Sequence, residues 1–369
     1  MSSERPPAGI VVEEELLQRH DAPDVVLLSG GNAVLDWHRH QGEDQLYKRF
    51  RPEHRELIDE RALLLLVRWR WELPASERDR LDRLAAWPRY AVRAGGRLTG
   101  VLVPPAADRF FTRRRDGRRT PRPLHGLLGT AGRPGAPTGV RLAVLGRLIR
   151  AVRWLHARDV VVNDLQPENV LFTLDGPGPA VHLVDCDSMT SARHWGRVAP
   201  VTAPDLMAEV VPADVEPTVA TDLTKLMAVV ARVLLDVPNV TNLGTADRDA
   251  LLAAVPPESR PQVRRLLVDP ADPGPWDALG ARWGELPGLL PPPPARLPSP
   301  ARRRGWLPPG YAYRPALGPP VLPQRLRVHR LPLAGAARPA GRRGPTLLPV
   351  LGLGALLVVL VLLLSVGSR

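Results

Sequence analysis

Apolar and polar positions alternate along the first part of the chain and then fall into helical spacing. VVLLSGGNAVLDWHRH (25–40) reads as two strands around a Gly-Gly turn, and DQLYKRF (44–50) as a third strand. RPEHRELIDERALLLLVRWRWEL (51–73) has Leu57, Arg61 and Leu64 at helical spacing, which predicts one helix. RYAVRAGG and RLTGVLVP (89–104) form a hairpin pattern, and residues 111–139 are a loop-rich insertion dense in Arg, Gly and Pro. VRLAVLGRLIRAVRWLHARD (140–159) is strongly amphipathic, and VLFTLDGPGPAVHLVD (170–185) is a hairpin with Gly-Pro at its turn. Apolar helices follow at 222–237, 247–255 and 260–268. Strands first and helices later predict an α+β fold, with a small β-rich lobe before a larger helical lobe. There is no internal repeat.

Charge changes the picture of the C-terminal part. The chain has 50 Lys and Arg against 38 Asp and Glu, a net charge of +12. Twelve arginines and no acidic residue lie from Leu286 onward, so the other 38 basic residues balance the 38 acidic ones and residues 1–285 are formally neutral. A nucleic-acid-binding domain carries its basic patch on the fold itself, so no nucleic-acid partner is expected. The basic segment PPPPARLPSPARRRGWLPPG (291–310) is instead an extended linker, too rich in proline to bury a core. Leu347 to Val366 is twenty residues without a charge. At about 1.5 Å per residue such a helix covers roughly 30 Å, the hydrocarbon thickness of a bilayer. Pro349, Gly352 and Gly354 are tolerated in lipid. Arg342 and Arg343 flank the run and place the N-terminal bulk in the cytoplasm. The expected location is therefore the cell membrane, as a single-pass protein held by that helix and the basic linker. The N-terminal segment is polar and acidic, without the apolar stretch of a secretory leader. The lone cysteine, Cys186, excludes an internal disulfide, which fits a reducing compartment.

The candidate chemistry lies in DVVVNDLQPEN (159–169) and LVDCDS (183–188). Asp164 stands five residues before Asn169, on a loop that follows the long amphipathic helix, and Asp185 ends the next hairpin. Taken singly, an Asp before a Pro-Glu-Asn turn is turn chemistry, and an Asp after a strand is a cap. Together they bring two carboxylates and an amide into one sequence neighbourhood. Lysine usage adds to this. Lys48 and Lys225 are the only lysines beside 48 arginines, so Lys48 in DQLYKRF needs a reason.

The arrangement resembles the protein-kinase family, whose catalytic loop reads Asp-Leu-Lys-Pro-Glu-Asn. DLQPEN carries the resemblance. VTAPDL (201–206) is similar to the Ala-Pro-Glu that closes an activation segment, and Asp222 in TDLTKLMAVVARVLL to the buried Asp that tethers the catalytic-loop backbone. LAAWPRYAV, TGVLVP and LVDCDS look like a divergent bacterial group with Asp-x-Asp-Ser in place of Asp-Phe-Gly. The likeness covers most of the chain before the linker. It implies a bilobal kinase-like fold over 23–288, after an N-terminal extension (1–22) and before a juxtamembrane linker (289–345) and a transmembrane helix (346–366). It implies ATP with Mg2+ or Mn2+ as cofactors. Asp164 would orient the attacking hydroxyl, Asn169 and Asp185 would hold metal, and Lys48 the α- and β-phosphates. Glu60, with Glu56 as the alternative, would position Lys48, and Gly30 and Gly31 would cover the phosphates.

The departures bear on activity. Two glycines stand for the usual three. Val162 and Asn163 replace His and Arg, which removes the docking point for a phosphorylated activation loop. Gln166 replaces the loop lysine that meets charge on the transferred phosphoryl group. Cys186 is expected as a small packed residue. Asp187 either adds a carboxylate near the metal or caps the next turn, the cap being preferred. The implied function is transfer of the γ-phosphoryl group of ATP to Ser/Thr hydroxyls of a protein substrate. The alternative is a membrane-anchored pseudokinase that serves as an ATP-binding scaffold.

Overall fold

In the stretch 33–50, period-two patterning is interrupted at Gln41 and Gly42, and both have positive φ, 50° and 81°. Two consecutive left-handed residues make the tight turn whose twist matches a hairpin. Strands β3 (Ala33–His40) and β4 (Glu43–Phe50) therefore pair in direct register, with Leu35 opposite Lys48. The computed structural model describes residues 9–19, 25, 32–130, 134–199, 209–212, 215–238, 240 and 242–286. Among these, β1 (Val11–Glu13), β2 (Gln18–Arg19), β5 (Tyr90–Ala94) and β6 (Arg97–Val103) complete a six-stranded sheet in the order β1-β5-β6-β4-β3-β2.

Residues 1–22, expected to be an extension outside the domain, thus contribute two strands to its sheet. β1 runs parallel to β5, with Val12 beside Val92. The reason is burial: Val12 joins Tyr47, Val67, Trp71, Tyr90, Val92 and Leu102 in one apolar cluster, with Ile10 and Leu17 against it. The Tyr47 hydroxyl donates to Glu14 Oε2 (3.0 Å) and lies 2.8 Å from Thr99 Oγ1, tying the acidic N-terminal segment to β4 and β6. Gly100 matters to the site. A Cβ there would collide with the Lys48 carbonyl and the Tyr47 ring, so glycine lets β6 close on the strand that carries Lys48.

The helix expected over 51–73 is broken. Pro52 opens a short helix α1 (Pro52–Arg55), Leu57 is left exposed, and Asp59 starts α2 (Glu60–Glu72) by accepting a hydrogen bond from Ala62 N at 3.0 Å. α3 (Ala75–Leu84) has little apolar period to announce it, since it buries only Arg78 and Leu81. The insertion at 111–139 contains a short hairpin, β7 (Phe111–Arg113) with β8 (Arg119–Pro121).

In the second half of the domain, α4 (Thr138–His156) runs past α5 (Val219–Leu235) and α8 (Pro273–Gly284). β9 (Val170–Thr173) and β10 (Ala180–Leu183) form the expected hairpin, and α6 (Thr245–Ala254) and α7 (Arg260–Val268) the expected shorter helices. At the α4–α8 crossing a Cβ on Gly146 would strike the Gly284 backbone, so the helices meet almost backbone to backbone. Trp276 and Trp283 of α8 are fully buried, their indole N–H groups donating to Pro270 O (2.8 Å) and Ser259 Oγ (3.0 Å). One core runs from Leu63 and Leu66 of α2 through Val101 of β6 to Leu145 of α4, Leu183 of β10 and Trp283 of α8. The architecture is α+β, a curled sheet followed by helices. No helix among the described residues is long and apolar enough to cross a membrane. The linker 289–345 and the apolar run in 346–366 lie outside the described residues, as do VTAPDL, Gly30 and Gly31.

Candidate functional site

The loop from Val160 to Asn169 is fixed from below. Asp222, fully buried on α5, accepts hydrogen bonds from Val162 N (2.6 Å) and Asn163 N (2.8 Å), and His156 Nε2 lies 2.9 Å from the same carboxylate. Asp222 thus holds the loop backbone, as the sequence predicts. Asn163 is left-handed (φ 65°), and its side chain donates to Ser188 O at 3.1 Å. Its carbonyl accepts a hydrogen bond from the Lys225 ammonium, also buried on α5. A non-glycine residue at positive φ is strained on its own; here backbone, amide and carbonyl are all held.

Above this floor, the Asn169 side-chain amide donates to Asp164 O (3.1 Å) and Oδ2 (2.8 Å), and the Gln166 amide to both Asp164 carboxylate oxygens (3.2 and 3.1 Å). The Asp164 carboxylate and both amides of the motif therefore touch. Burial pushes the Asp164 pKa up to about 6, helped by the Asp185 charge and opposed by Lys225, Asn169 and Gln166. The Asn169 amide nitrogen is spent on Asp164, which leaves its oxygen as the acceptor available to a ligand.

β10 leads to Asp185, again left-handed (φ 62°), at the start of a tight turn over Cys186–Ser188. Val184 N donates to Asn169 O at 2.9 Å, which joins this turn to the loop. Cys186 is buried, as expected for a small packed residue. Lys48 reaches from β4 and contacts the carboxylates of both Asp185 and Asp187, the second at 2.6 Å. Burial lowers the Lys48 pKa, but Asp187 and Asp185 outweigh it and hold the ammonium above its usual value. Burial likewise raises the Asp187 pKa against the pull of Lys48. With the groups in contact, the ionised pair is the state the geometry fits.

Two expectations are corrected here. Glu60 does not meet Lys48. It is the first residue of α2, and its carboxylate pairs with Arg93 of β5, while Glu56 is exposed. Asp187 is not merely a cap of the turn, because its carboxylate turns inward to Lys48. Lys48, Asp164, Gln166, Asn169 and Asp185 are thus assembled along one path from sheet to loop, and Glu60 stands apart.

Three participants were not singled out from the sequence. Lys225 could have been found by the reasoning applied to Lys48, since it is the only other lysine. Trp69 and Trp195 could not. Trp195 packs edge-on to Trp69 of α2 (centroids 5.5 Å) and to Trp87 (5.8 Å) and donates to Met189 O at 3.0 Å; Asp59 N donates to Val198 O at 2.7 Å. These contacts bind α2 to the chain that follows Asp185. No protein-family model and no curated protein matches the chain.

Proposed function

We propose that the chain is a nucleotide-dependent phosphotransferase of protein-kinase type, acting on Ser/Thr hydroxyls of a protein substrate. The observation that carries the reading is the continuous path from Lys48 on the sheet, through Asp185, to the Asn169–Asp164 pair on a loop anchored by Asp222. Lys48 would hold the phosphates. Asp185 and the Asn169 oxygen form an oxygen-only donor set, which suits Mg2+ or Mn2+ delivered with ATP and completed by phosphate oxygens. Held there, such an ion would supply neutralisation of phosphate charge during transfer. The substrate hydroxyl oxygen bonds to the γ-phosphorus as the bridging P–O bond breaks, and its proton passes to Asp164. The raised pKa of Asp164 suits it as that acceptor. The Asp164 carboxylate accepts from the Gln166 amide where the kinase loop supplies a lysine, and this favours the second reading, a pseudokinase scaffold. In both readings the apolar run within 346–366 and the arginines before it would hold the lobes at the cytoplasmic face of a membrane.

The test is γ-phosphate transfer from labelled ATP by the full-length chain, with Mg2+ and with Mn2+, to itself and to a general protein acceptor. Transfer should occur on Ser or Thr, vanish in Asp164→Asn, and leave nucleotide binding by that variant nearly intact. Divalent-dependent binding without transfer identifies the scaffold. Absence of both refutes the nucleotide reading.

A further inference from the structure

We propose that Asp187, rather than an acid on helix α2, is the carboxylate that positions Lys48 for the phosphates of a nucleotide. The inference rests on the nucleotide reading above and deepens it. A mostly buried ammonium must be compensated, and α2 offers little to do so. Its acids are Glu60 and Glu72, at its two ends, and its buried face is Ala62, Leu63, Leu66, Val67, Trp69, Arg70 and Trp71. Glu60 is engaged with Arg93. The turn after β10 instead presents two carboxylates to Lys48, and their exposure divides the work. The Asp185 side chain is 41% exposed and reachable by a nucleotide-borne ion; the Asp187 side chain is 7% exposed and shut away from one. When Asp185 turns to the ion, Asp187 remains to hold the ammonium 2.6 Å away. Asp187 is therefore a positioning residue, acting through Lys48. The lysine's orientation is then set by the same turn that carries Asp185. α2 is held independently, through Trp69 against Trp195 and Asp59 N to Val198 O.

The experiment uses the full-length chain and a fluorescent ATP analogue with Mg2+. Asp187→Asn should weaken binding about tenfold, as for loss of one charge-assisted hydrogen bond, and Lys48→Met by at least about as much. The double variant should bind no worse than Lys48→Met alone, because the two side chains act as a unit. Glu60→Gln should change binding less than about twofold. Thermal melting of each variant separates loss of fold from loss of position. If Asp187→Asn does not fold, Glu60→Gln still decides: a tenfold loss there returns the role to α2 and overturns the proposal. Additive losses in the double variant, or unchanged binding in Asp187→Asn, overturn it as well. Wild-type protein that binds no nucleotide refutes the reading beneath it. Loss in Lys48→Met without loss in Asp187→Asn refutes the Asp187 role alone.

Discussion

Lys48 and Lys225 anchor two halves of the site that are built in different ways. Lys48 is held by two side-chain carboxylates, one of them substantially open to solvent, and its pKa is raised. Lys225 is held by a backbone carbonyl beneath the loop. Burial lowers its pKa, against the charges of Asp222 and Asp164 and with help from Arg197. The Lys48 corner consists of ion pairs between separate elements, contacts that an incoming charge can exchange. The Lys225 floor is a set of buried hydrogen bonds to main chain, which no ligand replaces. On the proposed reading, a site that admits and releases a charged ligand while keeping a proton acceptor still is served by one half of each kind.

The largest expected effect tests the rigid half. Asp222→Ala leaves two loop N–H groups and His156 without their shared acceptor, and should cost about 3–5 kcal/mol of unfolding free energy, the range for breaking a buried polar pair. Denaturant unfolding measures it. A loss below about 1 kcal/mol would mean the loop is not pinned from below, and the contrast between the halves would collapse.

Next comes the strand that delivers Asp185. His182 on β10 is buried, its pKa pushed down to about 4 mainly by desolvation, with Arg109 adding to the shift and a hydrogen bond to the Arg83 carbonyl opposing it. It stays neutral in the fold, while in the unfolded chain it takes up a proton near the ordinary value of 6.5. Its stabilisation is therefore complete above that value and is lost as pH falls from about 6.5 toward 4, by on the order of 3 kcal/mol. A His182→Gln variant should flatten that part of the stability–pH curve. A curve of unchanged slope would show that another group controls the acid limb.

The smallest effect concerns the junction of the halves. Gln166→Lys places an ammonium where the amide now meets Asp164, and should raise phosphoryl transfer about threefold to tenfold by meeting charge that develops on the transferred group. Initial-rate measurements at saturating nucleotide decide this. No gain would indicate that Lys225 already supplies the needed field through the loop.

Much of this molecule is legible in the sequence, for identifiable reasons. The β9–β10 hairpin, α4 and α5 bury regular apolar faces, so their periods show. The Asp222 tether is expected only from the resemblance of its segment to a kinase helix; in the structure the buried carboxylate does find donors on the loop. Other parts were hidden. α8 opens PGPW and holds three glycines, a composition that reads as loop until Asp272 is seen capping it through Gly274 N at 3.0 Å. α3 is nearly all polar. The first strand depends on a parallel partner about eighty residues away, Val11 beside Ala91, which no local pattern reveals. At the site, residue types and spacing located Asp164, Asn169 and Asp185. The partner of Lys48 was sought at Glu60, or else Glu56, because local pattern does not reveal which carboxylate the fold turns inward; Lys48 meets Asp185 and Asp187 instead.

The α4–α8 seam has a mechanical consequence. Gly146 and Gly284 let the two helices touch at the end of α8, two residues before the described chain stops at Leu286. Tension applied from the C-terminal side would load α8 first and reach α4 through that contact and the buried Trp283. α4 runs on through His156, which touches Asp222, into the loop bearing Asp164. A pull on the tail is thereby coupled to the floor of the site along a stiff path only two helices long.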